Sequence, residues 1–170
     1  PDPTQGASPC AVGAAVGIIR DNRIVHLKGY GLADRGRKIP VDTDSMFRWA
    51  SISKPLTALR ALQLWEEGKL DLDADVRTYV PEFPDKGVKI TLRQLLGHQG
   101  GIVHYQNGPV IRAAAEYDVE HPFESVVLAL DTFRESPLVN PPGEKYSYST
   151  HGYILASAVV VRAGKRPFAD

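Results

Sequence analysis

Hydrophobic and polar positions divide the chain into a short β-rich start and a longer helical remainder. Residues 14–19 and 24–28 are β-favouring runs, and the Asp21-Asn22 pair between them tolerates the left-handed backbone of a tight turn. This pattern predicts a β-hairpin. Gly29-Tyr30-Gly31 follows it without the third glycine or the helix start of a dinucleotide-binding loop, so we interpret it as a strand-end turn.

The next periodic segment predicts a helix that begins close to Ser51. Pro55 lacks an N–H and fits only a first turn, so the helix cannot begin far before Ser51. Gly68 is placed to supply a left-handed C-terminal cap. Apolar residues recur at helical spacing between these two points, at Ala58, Leu59, Ala61, Leu62 and Trp65. We therefore expect a buried helix with Ser51 near its N-terminus.

Two shorter segments have the pattern of helices that pack on a core. Residues 91–96 form a candidate helix that Thr91 would cap. Residues 122–134 carry apolar side chains along one face until Pro137 stops the pattern. Both segments are expected to be helical, and the loops around them are too short to be domain linkers.

Residues 153–163 are ambiguous, because their consecutive valines favour a strand. Ser149 or Thr150 would cap a helix start, and Gly164 would mark its end. We favour a helix here. A hairpin followed mostly by helices gives an α+β fold class.

Composition is that of one globular domain and excludes several kinds of partner. The chain has 170 residues, of which 43% are hydrophobic, and its 20 basic and 20 acidic residues cancel. No nucleic-acid partner is indicated. No apolar run approaches the ~20 residues that span a bilayer, so no membrane span is expected. Cys10 is the single cysteine, which excludes an internal disulfide and a C-x-x-C site. The compartment stays open, with export and a removed or absent signal as the favoured interpretation.

Ser51 and Lys54 form the candidate chemistry, because a serine and a lysine one helical turn apart can be a nucleophile and its activating group. A lysine is almost fully protonated at neutral pH, so it needs help to act as a base. Burial and the helix N-terminus would destabilise its charge. Alternatively, a tyrosine phenolate between lysine and serine would take the serine proton. The two titrations would be coupled.

The motifs around these residues resemble the serine β-lactamase-like proteins of the penicillin-binding class. The segment 47–57, Phe-Arg-Trp-Ala-Ser-Ile-Ser-Lys-Pro-Leu-Thr, is similar to the family's first motif, and Tyr148-Ser149-Thr150 is similar to its tyrosine motif. The segment 95–102 resembles the family's L-L-x-H-x-x-G-[LI] motif. Gly29-Tyr30-Gly31 also fits after the second strand. The resemblance covers nearly the whole chain, and the nearest subgroup is the class C-like hydrolases, including esterases, D-amino-acid peptidases and mitochondrial β-lactamase-like proteins.

This resemblance implies a fold and a set of roles. The fold would be β-lactamase/transpeptidase-like, an antiparallel sheet flanked by helices with a mostly helical region facing it. Ser51 would form the acyl-enzyme, Lys54 would activate it, and Tyr148 would be the general base that returns the proton to the leaving group. The Ser51 N–H would be one oxyanion donor. The substrate would be an ester, a D-amino-acid peptide or a β-lactam amide. Since Ser, Lys and Tyr suffice for this chemistry, no metal or organic cofactor is implied.

The sequence departs from the family pattern in two places. Thr150 stands where the family usually has Asn, so the substrate-binding position keeps a hydroxyl but loses an amide. The family's third motif, on a late strand, has no candidate after Tyr148. We therefore expect residues 1–170 to be the N-terminal portion of one domain, with first strands in 14–30 and a helical region in 45–165. A second chain or a missing segment would complete the sheet.

Alternatives to catalysis stay open. The chain can be a catalytically silent β-lactamase-like binding or assembly module, in which Ser51 is a helix cap and Lys54 a solvated lysine. Tyr146 and Tyr153 are interpreted as packing residues with a polar tip. The acidic run from Asp71 to Asp75 lacks the glycine of a calcium loop and is interpreted as a solvated turn. The histidines lack H-x-x-x-H spacing, and we expect structural roles for them, with His98 shaping its loop: His98, His104, His121 and His151.

Overall fold

The computed structural model describes residues 12–112 and 125–168, which divide between two compact units. The first unit, Pro1–Trp49, holds the strands and is called the sheet unit below. The second, Ala50–Asp170, holds the helices and is called the helical unit.

In the sheet unit, β1 (Gly13–Arg20) and β2 (Arg23–Asp34) pair antiparallel. Asp21 and Asn22 connect them with φ values of 51° and 57°. Two consecutive left-handed residues make a turn whose twist matches that of the strands, and Asp and Asn tolerate this conformation. The predicted hairpin is therefore confirmed.

A short third strand and a close backbone approach correct the interpretation of Gly29-Tyr30-Gly31. These residues lie inside β2, not in a strand-end turn, and β3 (Ile39–Pro40) pairs with the end of the same strand. A Cβ atom on Gly29 would lie 2.1 Å from the carbonyl oxygen of Val41. Glycine is needed here because only a residue without a side chain lets the two backbones approach this closely.

In the helical unit, α1 (Ser53–Glu66) follows a single 3₁₀ turn at Ala50–Ile52. Gly68 has a φ of 68°, and its N–H donates to the Trp65 carbonyl while the Lys69 N–H donates to that of Leu64. This pair of hydrogen bonds is a Schellman motif. The predicted start of the helix and the role of Gly68 as its cap are confirmed.

The expectation that α1 is buried is wrong for most of its surface. The side chains that face the core are Thr57, Ala61 and Leu64. Leu59 and Trp65 are about half exposed, at 55% and 48%. Helix α3 packs against α1. Among the described residues, the apolar stripe of α1 is therefore wider than its buried face, and Leu59 and Trp65 are left at the surface.

Two of the later predicted helices are confirmed. Helix α2 (Leu92–Leu96) begins with a capping box, in which the Thr91 hydroxyl accepts from the Gln94 N–H and the Gln94 side chain accepts from the Thr91 N–H. Helix α3 (Thr150–Gly164) is capped by Ser149, whose hydroxyl accepts from the Gly152 N–H.

The helix predicted for residues 122–134 is wrong where it can be compared. Its first residues, including Phe123, lie outside the described residues. The described part forms a 3₁₀ helix at Leu128–Thr132. The Ser125 hydroxyl accepts the Leu128 N–H, and the backbone leaves the helical region at Phe133, with φ −153°. A local side-chain acceptor thus competes with α-helical hydrogen bonding.

The core of the helical unit lies where the three helices and the connecting segments meet. It contains large side chains with almost no exposed surface, including Leu64, Leu92, Leu95, Leu130, Phe133, Leu155 and Val159. Among the described residues, no helix has both the length and the apolar character needed to cross a membrane. The helical unit therefore carries a packed interior on which side chains of its loops can be held in place.

Candidate active site

Ser51 lies in the 3₁₀ turn that leads into α1, and Lys54 lies in the first turn of that helix. The Lys54 Nζ donates to the Ser51 Oγ at 3.0 Å. Ala50, directly before the serine, has a left-handed φ of 45°. Such a conformation is costly for a residue with a side chain, and it tends to occur at functional sites.

Tyr148 comes from a distant part of the chain, two residues before α3. Its hydroxyl is 2.6 Å from the Ser51 Oγ, and either oxygen can be the donor. Lys54 also donates to the Thr150 Oγ1 at 3.3 Å. All four residues singled out from the sequence thus lie within one hydrogen-bonded cluster.

The electrostatics of this cluster favour the tyrosine as a proton acceptor. The Lys54 ammonium lies 5.0 Å from the centre of the Tyr148 ring. The pKa of Tyr148 is lowered from its ordinary value, first by Lys54 and then by the hydrogen bond with Ser51. A phenol that ionises more readily, in contact with a serine hydroxyl, is chemically able to take the serine proton.

Two histidines support the segment that carries Tyr148. The sequence had indicated structural roles for them, but not that they would contact this segment. The Nδ1 of His98 accepts the Ser149 N–H at 3.1 Å, and the Nδ1 of His104 accepts the Thr150 N–H at 3.2 Å. The expected structural role of His98 is confirmed. No spacing rule connects a histidine to a backbone N–H about 50 residues later, so the hydrogen-bond partners of His98 and His104 could not be predicted from the sequence.

These two rings also pack around the phenol. The His98 ring centre is 4.4 Å from that of Tyr148, and the His104 ring meets Tyr148 edge-on at 5.4 Å. Burial, followed by the nearby Lys54 charge, lowers the pKa of both imidazoles. Both are therefore neutral at pH 7, which a ring nitrogen needs in order to accept a hydrogen bond.

The neighbouring tyrosines differ from each other. The Tyr153 hydroxyl donates to the Leu96 carbonyl at 2.9 Å, which confirms the prediction of a packing residue with a satisfied polar tip. Burial raises its pKa. Tyr146 is 62% exposed, and its ring meets the edge of the His98 ring at 5.7 Å between centres, so the interpretation of Tyr146 as a packing residue is wrong for most of its surface.

Metal-binding geometry is not found in the described parts of the chain. Within residues 12–112 and 125–168, no group of three or more His, Cys, Asp or Glu side chains could hold a metal ion. The acidic turn instead pairs with arginines: Asp73 with Arg93 at 2.7 Å, and Asp75 with Arg77 at 3.1 Å. The first pair is exposed and the second is partly buried, so the interpretation of a solvated turn holds at Asp73 and only in part at Asp75.

Comparison with known proteins gives matches along almost the whole chain. Serine beta-lactamase-like protein LACTB, mitochondrial, of Bos taurus is 30% identical over 94% of this chain and 41% of its own length. Esterase EstB of Burkholderia gladioli is 32% identical over 93% of this chain and 42% of its own. The solved structure of EstCE1, a hydrolase with promiscuous acyltransferase activity, has a TM-score of 0.75 at 27% identity, and the match covers 92% of this chain and 43% of that one.

These matches concern the fold as well as the sequence. The chain spans about two fifths of the length of the curated relatives named above. The structural match confirms the β-lactamase/transpeptidase-like α+β fold that the motifs implied. The family model described as Beta-lactamase matches residues 5–170. The chain therefore belongs to the Beta-lactamase family.

Proposed function

We propose that this chain carries the acyl-transfer centre of a serine hydrolase, in which Ser51 is the nucleophile, Lys54 its activating partner and Tyr148 the general base. The observation that carries the proposal is the continuous contact among the three, with Ser51 Oγ 2.6 Å from the Tyr148 hydroxyl and 3.0 Å from the Lys54 Nζ. A nucleophile within hydrogen-bonding reach of a base, and a third group that tunes that base, is the general arrangement of nucleophilic catalysis.

In the acylation step, the Ser51 Oγ attacks the carbonyl carbon of the substrate while its proton passes to the Tyr148 phenolate. The Lys54 ammonium stabilises the phenolate before this transfer, which is consistent with the lowered pKa of Tyr148. When the tetrahedral intermediate collapses, the bond to the leaving group breaks, and Tyr148 gives the proton to the departing oxygen or nitrogen. The product is an ester of the acyl group on Ser51.

Deacylation repeats these events with water. Tyr148 takes a proton from a water molecule, and the resulting hydroxide attacks the acyl carbon. The bond between that carbon and the Ser51 Oγ then breaks, which releases the acid, and Tyr148 returns the proton to the Ser51 oxygen. The backbone N–H of Ser51 is the proposed oxyanion donor in both halves of the reaction. The left-handed Ala50 would fix the direction of the peptide group that follows it.

Among the three substrate classes, we propose an ester first, then a D-amino-acid peptide or a β-lactam amide. Thr150 is the proposed substrate-binding residue. Its hydroxyl accepts from Lys54 and offers no amide group, which weakens the case for the amide side chain of a β-lactam. The similarity to esterase EstB also supports an ester substrate.

The proposal is tested by incubating the purified protein with a fluorophosphonate probe and measuring its intact mass and labelled peptide. We expect one adduct, on Ser51. Ser51→Ala should abolish labelling. Ser53→Ala is the matched control, because Ser53 is an exposed serine two residues away, and among the described residues Ser51, and not Ser53, forms the hydrogen bonds with Tyr148 and Lys54. Loss of labelling in the control but not in Ser51→Ala would contradict the assignment.

Probe labelling together with turnover assays decides between the hydrolase and the silent binding module. Turnover of a p-nitrophenyl ester, with the rate lost in Ser51→Ala, supports the hydrolase. A folded protein that forms no adduct and hydrolyses neither the ester nor a D-alanyl peptide nor a chromogenic β-lactam would instead support the silent module.

A further inference from the structure

We propose that His98 is the positioning residue of this site: it holds both chain neighbours of Tyr148, one with its backbone and one with its ring, and so fixes the phenol against the Ser51 hydroxyl. The consequence for catalysis rests on the proposed function. The positioning itself does not, because it concerns where the Tyr148 hydroxyl lies.

The contacts of His98 lie on either side of Tyr148. Its carbonyl oxygen accepts the Ser147 N–H at 2.7 Å, and its Nδ1 accepts the Ser149 N–H at 3.1 Å. Because one residue makes both hydrogen bonds, the peptide group between Tyr146 and Ser147 and the one between Tyr148 and Ser149 are both tied to His98. The Tyr148 backbone therefore has little freedom to rotate relative to His98.

The ring of His98 also restricts the phenol directly. Its centre lies 4.4 Å from that of Tyr148, with the two planes tilted by 37°. The His98 ring also contacts the Tyr153 ring, with 5.1 Å between the two ring centres, and the Tyr153 hydroxyl donates a hydrogen bond to the Leu96 carbonyl. A side chain held at both its nitrogen and its face can serve as a fixed support for its neighbour.

The backbone of His98 explains how one residue makes both contacts. It follows the C-terminus of α2, where its N–H donates to the Leu95 carbonyl at 3.1 Å, and it has a left-handed φ of 56°. Glycine or asparagine adopts this conformation more readily. At this position, both the carbonyl and the ring of histidine accept hydrogen bonds from the 147–149 segment. A glycine would keep the contact of the carbonyl and lose that of the ring.

A matched pair of variants separates the ring contact from the backbone. His98→Gly and His98→Asn both tolerate the left-handed conformation and both keep the carbonyl that Ser147 contacts. Only asparagine retains an acceptor, its Oδ1, at about the place of the histidine Nδ1. A difference between these variants therefore reports the hydrogen bond to the Ser149 N–H.

The first readout is the Tyr148 pKa, measured by NMR of protein labelled at the tyrosine Cζ, with the signal assigned by its absence in Tyr148→Phe. In the unsubstituted protein this pKa should lie below 10.0. We expect His98→Gly to return it toward 10.0 and His98→Asn to keep it low. An unchanged pKa in a folded His98→Gly protein would overturn the proposal.

The second readout is the rate of probe labelling at Ser51. A misplacement of about 1 Å costs roughly 10²-fold in rate, so we expect a loss of that order in His98→Gly and a smaller one in His98→Asn. If the unsubstituted protein is not labelled at all, the proposed function fails, while the Tyr148 titration still decides the positioning role.

A third measurement needs no variant and covers the case in which His98→Gly does not fold. In the unsubstituted protein, nitrogen NMR should show His98 with its proton on Nε2 and an unprotonated Nδ1, as an acceptor requires. A proton on Nδ1 at neutral pH would overturn the assignment.

Discussion

The sheet unit and the helical unit differ sharply in how they bury apolar side chains. In the helical unit, Leu64 and Leu130 have no exposed surface. In the sheet unit, Ile19 is 71% exposed and Ile24 is 64% exposed. Two long strands and one short strand cannot by themselves enclose a core, whereas several helices and connecting segments can.

The candidate site lies on the side of this difference that a rigid site requires, in the unit with a packed core. Every residue of the candidate site lies in the unit that has its own packed interior. Side chains such as Tyr148 and His98 need a rigid support to hold distances of 2.6 to 3.1 Å. The hydrogen bonds described for the candidate site are all formed between residues of the helical unit.

The largest expected effect comes from removing a core side chain of the helical unit. Leu64→Ala should lower the free energy of unfolding by about 2–5 kcal/mol, because it leaves a cavity in a fully packed site. Ile19→Ala in the sheet unit should cost less than about 0.5 kcal/mol. Urea denaturation of both variants gives the comparison. An equally large cost for Ile19→Ala would mean that another surface covers β1 in solution.

An intermediate effect is expected from a pair of glycines within the sheet unit. In Gly29→Ala the new Cβ would lie 2.1 Å from the Val41 carbonyl oxygen, so the backbones must separate, at a cost of about 1–3 kcal/mol. Gly17→Ala is the control, since its Cβ would meet nothing closer than 3.7 Å. Amide hydrogen exchange in β2 should accelerate in the first variant and stay unchanged in the second. Equal exchange in both would contradict the close approach.

The smallest and most gradual expected effect is the decrease in the free energy of unfolding of the helical unit as the pH falls. Burial is the main cause that lowers the pKa of His98, His104 and His151 below the ordinary 6.5. The unfolded chain then binds more protons than the folded one below pH 6.5, so stability is complete above that pH and declines as pH falls through the folded pKa values.

Stability measured between about pH 7.5 and pH 5 isolates this contribution, because carboxylates with a lowered pKa, such as Asp73, titrate below their ordinary 3.8. Histidine NMR titrations should give midpoints below 6.5 for all three rings. A midpoint above 6.5, or a free energy of unfolding that rises toward pH 5, would show that these imidazoles are not held neutral by the fold.

Local patterns predicted the elements whose signals are local. The hairpin follows from its Asp21-Asn22 turn, α2 from the Thr91 cap and the end of α1 from Gly68. The segment at 122–134 failed because its apolar spacing suits a 3₁₀ helix as well, and the competing Ser125 acceptor is not visible as a period.

The site was predictable only in part for the same reason. Ser51 and Lys54 are one turn apart, so their contact follows from helix geometry. Tyr148 was found through a motif, and its 2.6 Å contact with Ser51 is set by tertiary packing. His98 and His104 act on backbone N–H groups, which every residue except proline has, so their partners leave no trace in the sequence.

Ser51 and Tyr148 are separated by 97 positions, and this separation has a consequence for the timing of activity. While the chain is being synthesised, Ser51 leaves the ribosome long before Tyr148, and the two hydroxyls cannot meet until α3 has folded against α1. Under the proposed mechanism, a half-made chain would therefore be inert, and labelling of Ser51 would count only molecules whose helical unit has finished folding.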